Sequence, residues 1–160
     1  MDFGSYVPYL AAAIILVGTL ASGPLPLADQ PTDRTNEIGT GSVTVGEIRL
    51  PATATLRQGQ FGEDSYYLQV PAASVRFEGV EGRPVLTYKL EILDLGYSRE
   101  SAFFLGPDTS ERTQISMERD ELAPGTVQND SYAGVLRVIE RAGEESRVVA
   151  ERNVTVQVRR

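Results

Sequence analysis

The chain has 160 residues, 41% hydrophobic and 23% charged, with a formal net charge of -7, which suits one folded domain plus a short appendage. It contains no Cys and no His, so disulfides, thiolate nucleophiles, a Ser-His-Asp triad and Cys- or His-ligated metals are excluded. Its acidic residues are spread along the chain, and its longest basic stretch is Arg159-Arg160, which argues against nucleic acid as a partner.

Phe3 to Ala28 carries no charge, and Tyr9 to Ala21 is its densest apolar part. A helix needs about 20 mostly apolar residues to cross a bilayer, and residues 3–22 supply them. Tyr6 and Tyr9 would sit at one interface, and Gly23-Pro24 with Pro26 would stop the helix. A cleaved signal peptide is the competing reading, because Ala21-Ser22-Gly23 places small residues where a peptidase cuts. Asp2, the lack of basic residues at the start and Pro24 just past the cut argue against cleavage. The expectation is an anchor over residues 1–23, in contact with membrane lipid through residues 3–22. Arg34 alone flanks the segment, so charge barely orients it. Two acceptor triplets, beginning at Asn129 and Asn153, favour an extracytoplasmic domain and make both asparagines glycosylation candidates.

Residues 24–40 form a linker rich in Pro, Gly, Asp, Asn and Thr, with no apolar periodicity. Residues 41–160 then show short apolar alternation broken by glycines and prolines, 15 and 9 of them in the chain. Ser42 to Leu50 is a strand whose phase slips near Gly46, as a bulge would make it. Thr53 to Gln58, Tyr66 to Val70 and Ser74 to Phe77 follow as strands. Val85 to Asp94 is the clearest, with Leu86, Tyr88, Leu90 and Ile92 on one face and Val85, Thr87, Lys89 and Glu91 on the other. Ala102 to Leu105 and Arg112 to Met117 come next. Glu118 to Asn129 is a long turn. Tyr132 to Glu140 and Arg147 to Val158 pair across a loop at residues 141–146. With seven to nine short strands and no helix after residue 30, the expected fold is all-β: an antiparallel β-sandwich, with a small barrel as the alternative.

The stretch from Asp120 to Thr126, with Pro124-Gly125, leads into Tyr132-Ala133-Gly134-Val135-Leu136-Arg137-Val138. It resembles the end of an immunoglobulin-like or cell-adhesion-related domain. That resemblance implies an immunoglobulin-like sandwich and makes Tyr132 a tyrosine-corner candidate. The composition, with Lys89 the only lysine beside 14 arginines, resembles that of proteins from salt-loving archaea. One membrane segment, a spacer and one sandwich also resemble the layout of small archaeal surface proteins, including archaellum stator-like components that contact the surface layer.

Phe61, Tyr66 and Tyr67 flank a glycine-containing loop and are contact candidates, as are Phe103 and Phe104, of which alternation turns one outward. Glu118, Asp120, Glu121 and Asp130 are candidates for a hard cation, without an EF-hand pattern. No carboxylate pair stands out for catalysis, so no enzyme and no cofactor are expected. The reading is a membrane-anchored extracytoplasmic interaction module, binding protein partners or copies of itself. An archaellum stator-like accessory protein and a glycan- or calcium-binding module are the alternatives.

Overall fold

The computed structural model describes residues 38–60 and 64–160. The proposed anchor, most of the linker and Phe61 lie outside them. The described chain is all-β, with ten strands in two sheets: β1 (Gly41–Arg49), β2 (Thr53–Gln58), β3 (Tyr66–Gln69), β4 (Ala73–Gly82), β5 (Val85–Ile92), β6 (Tyr97–Phe104), β7 (Arg112–Ile115), β8 (Asp120–Leu122), β9 (Ser131–Ala142) and β10 (Glu145–Arg159). One sheet has three strands in the order β1-β4-β7. The other has seven, in the order β6-β5-β9-β10-β2-β3-β8.

The pattern along β5 is cashed in by the core. Leu86, Tyr88, Leu90 and Ile92 are all fully buried. Leu136 and Val138 on β9, Val154 and Val156 on β10, and Leu56 and Leu68 on β2 and β3 join them. Val43, Val75, Phe77 and Ile115 come from the three-stranded sheet into the same cluster, so both sheets share one core. Burying each such side chain stabilises by about 1.5–3 kcal/mol relative to exposure.

The seven-stranded sheet is curled. β6 and β8 stand at opposite ends of its strand order, yet the Tyr97 hydroxyl on β6 donates to Asp120 Oδ2 on β8 at 2.6 Å. Burial first, and the bond to Asp120 second, push the Tyr97 hydroxyl well above its ordinary pKa. Tyr88 is likewise raised by burial, and its hydroxyl donates to the Pro71 carbonyl at 3.1 Å.

One expectation needs correcting: the seven-stranded sheet is not purely antiparallel. β2 runs parallel to β10, with Thr53 opposite Thr155 and Arg57 opposite Arg159. These strands are about a hundred residues apart in sequence, and parallel neighbours cannot be joined by a tight turn. Strand alternation carries no record of such a pairing.

Several boundaries also differ. β4 runs on to Gly82 because Gly79 to Gly82 pair with Gly41 to Thr44 of β1. The pairing slips between Thr44 and Glu47, which places a bulge at Gly46. β6 begins at Tyr97: Ser98 and Glu100 face outward, while Arg99 and Ser101 take inner-face positions opposite Leu90 and Tyr88, and these polar residues on an edge strand leave no apolar alternation to read. Asp120–Leu122, expected within a turn, forms a short edge strand on β3. The loop expected at residues 141–146 shrinks to two residues, since Glu145 already pairs with Ala142. Gly143, at φ 63, supplies the left-handed backbone that such a tight hairpin requires.

Glu140 on β9 ties the two sheets together. It is only 5% exposed, and its Oε1 accepts the Val43 amide of β1 at 3.0 Å. Its other oxygen accepts from Arg147 Nε on β10 at 3.1 Å. A carboxylate facing the core is tolerated because both oxygens have donors.

Candidate functional site

Cross-strand partners share a face, so the register defines the outer side of the seven-stranded sheet. Since Leu86, Tyr88, Leu90 and Ile92 point inward, Val85, Thr87, Lys89 and Glu91 point outward. Phe104 on β6 lies opposite Val85, which lies opposite Arg141 on β9. In the next row Ala102, Thr87, Ile139 and Val148 run across four strands. Phe104 is 63% exposed and Val148 52% exposed. Val85 and Thr87 between them are buried, so at this end of the face Phe104 and Val148 are the large apolar side chains presented to solvent among the described residues.

The following row is charged: Glu100, Lys89, Arg137 and Glu151 stand in line across β6, β5, β9 and β10. Glu91 sits one step along and joins it. Lys89 Nζ reaches Glu91 Oε1 at 2.8 Å, Arg137 Nη1 bonds the other Glu91 oxygen, and Arg137 Nε reaches Glu151 Oε2 at 2.6 Å. The hydrogen bond from Lys89, followed by that from Arg137, holds the Glu91 carboxyl below the usual carboxylate range. An exposed single pair contributes little, but a chain of linked pairs fixes side-chain positions. The apolar end is thus bordered by a strip of linked ion pairs. This strip is not visible to sequence reasoning. Alternation places Lys89 and Glu91 together, but only the register brings Arg137 and Glu151 beside them.

The aromatic candidates separate. Tyr66 is 6% exposed and packs in the core, so it is removed from the exposed contact set; β3 turns Tyr66 and Leu68 inward and Tyr67 outward. Tyr67 is half-buried. Phe103 is half-buried on the inner face against the core, while its neighbour Phe104 faces outward. Phe61 is outside the described residues.

The acidic candidates do not converge. Asp120 accepts from Tyr97 and lies 3.9 Å from Arg99. Asp130 pairs with Arg160 near the end of the chain. Glu118 and Glu121 are exposed. Among the described residues no group of three or more His, Cys, Asp or Glu could hold a metal ion.

Tyr132 is 4% exposed, and its hydroxyl accepts the backbone amides of Gln128 at 2.8 Å and Asn129 at 2.9 Å. It thereby holds the turn that precedes β9. Both glycosylation candidates are exposed: Asn129 in that turn, and Asn153 in β10, opposite Val135.

No protein-family model matches the chain, and no curated protein or solved structure matches it either. Among the described residues no helix is long and apolar enough to cross a membrane, and the candidate segment lies outside them.

Proposed function

We propose that the chain is a membrane-anchored, extracytoplasmic, non-catalytic interaction module, built on an immunoglobulin-like β-sandwich and held to lipid by residues 3–22. The sandwich reading is supported by two sheets that close on one apolar core, with the larger sheet bent until its edge strands touch. The anchor reading is supported by the uncharged stretch from Phe3 to Ala28. The interaction reading rests on one observation above the others: a phenylalanine 63% exposed on the outer sheet face, opposite the buried Val85, with Ile139 and the exposed Val148 further across the same face. An outward aromatic with apolar neighbours and a polar border has the layout of a contact core with its rim.

The test is chemical crosslinking in intact membranes, followed by recovery of the full chain from detergent. The reading expects a protein, or a second copy, in fixed ratio with the native chain. Phe104→Glu should lose that product while its thermal midpoint stays within a few degrees of the native one. A crosslinked product unaffected by Phe104→Glu would remove this face from the interaction. No product at all, or protection of β5 from protease in right-side-out cells, would remove the module or its orientation respectively.

A further inference from the structure

The outer side of the three-stranded sheet carries a second feature. Ala73, Val75 and Phe77 of β4 are buried, so Ser74 and Arg76 face outward. Register places Glu47 of β1 and Arg112 of β7 on either side of Arg76, and Arg49 and Gln114 on either side of Ser74. These six residues line an open cleft of about 410 Å³.

Arg76 and Arg112 stand directly opposite each other on neighbouring strands, an arrangement that repels unless an anion lies between them. The carboxylates nearby do not balance the guanidiniums. Glu47 bonds Arg49 Nε at 2.7 Å, and Glu78 lies 3.6 Å from Arg76. Arg112 has no ion pair among the described residues. Three arginines against two glutamates leave a local positive surplus on a chain whose net charge is -7. The three arginines together, Arg49 foremost, also hold the Glu47 carboxyl below its usual range.

We propose that this cleft binds an acidic peptide segment, with its carboxylates on Arg76 and Arg112. Guanidinium forks match carboxylates in a bidentate geometry. No aromatic side chain lines the cleft, so it lacks the platform on which a sugar ring would stack. β7 is the edge strand of its sheet, paired among the described residues only with β4. Its outer backbone edge adjoins Arg112 and Gln114, and an extended peptide can add there as a further strand. In a peptide added this way, acidic residues at alternate positions would face the arginines. This inference names a partner class for the interaction module and rests on that reading.

The test titrates a fluorescein-labelled hexaglutamate peptide against the full chain in non-ionic detergent, reading anisotropy at low and at physiological salt. Saturable binding that weakens with salt is expected. The double variant Arg76→Gln with Arg112→Gln should weaken it at least tenfold. That variant removes a like-charged pair from an exposed face, so its thermal midpoint should be unchanged or higher. Arg57→Gln with Arg159→Gln, which alters a second directly opposed arginine pair, should leave binding unchanged. The proposal is overturned by non-saturable binding or by equal loss in both double variants. It is also overturned if a sulfated hexasaccharide binds and the peptide does not, or if hexaglutamate binds no more tightly than inorganic sulfate. No peptide binding by the native chain, alongside an intact crosslink through the Phe104 face, would remove this cleft and leave the module reading standing.

Discussion

Replacing Glu140 by alanine removes a carboxylate that joins the two sheets. The Val43 amide, on a residue 3% exposed, then loses its acceptor. A buried donor left unsatisfied costs about 1–3 kcal/mol. Arg147 loses a partner too, but its side chain is 69% exposed and rehydrates, so the larger penalty of about 3–5 kcal/mol for breaking a fully buried pair does not apply. Glu140→Ala should therefore destabilise by about 2–3 kcal/mol, within the range of a lost hydrogen bond to a charged group. Glu140→Gln keeps an oxygen for Val43 but turns an amide NH2 toward Arg147, whose exposed guanidinium can swing to water, so it should cost less than the alanine change, about 1 kcal/mol. Urea titration of the full chain, followed by far-ultraviolet circular dichroism and by tyrosine fluorescence, measures both; the chain has seven tyrosines and no tryptophan. Amide exchange at Val43 should quicken in the alanine variant and not in the glutamine variant. A loss below about 0.5 kcal/mol for alanine, or equal losses for the two variants, would refute the assignment of the cost to the Val43 bond.

Tyr132→Phe deletes the acceptor of two backbone amides and should destabilise by about 1–3 kcal/mol, with faster amide exchange at Gln128 and Asn129. Gly41→Ala should lower the thermal midpoint sharply: a Cβ there would lie 2.0 Å from the Glu81 carbonyl oxygen, at φ +103, and a change of less than one degree would contradict that geometry. Glu91 has a folded-state pKa depressed by Lys89 and Arg137, so its stabilisation is complete above the ordinary carboxylate pKa and is lost as pH falls through the lowered folded value. Glu91→Gln should flatten that part of the dependence of the thermal midpoint on pH, and an unchanged acid limb would count against the network.

Some features were legible because they are local. The alternation in β5 required no partner to be read, since side chains on a strand change sides at each residue, and all four of its inward residues are fully buried. The slip near Gly46 was legible for the same reason: two alternating runs with incompatible phase imply an extra residue between them. Tyr97 to Glu100 and Asp120 to Leu122 were not legible. Both lie on edge strands, where exposed polar residues are tolerated and apolar alternation fades.

Residue order and composition alone determined the all-β class, the uncharged N-terminal stretch and the exclusion of thiol and imidazole chemistry, because each depends on residue type and near-neighbour spacing. Tertiary structure alone decided the parallel junction of β2 with β10, the meeting of Tyr97 with Asp120, the closure of Glu140 on Val43 and the rows that expose Phe104 and gather three arginines. Each of these joins residues far apart in sequence. Which of many strands becomes a neighbour is set by the burial of the whole core, and no local pattern records that choice.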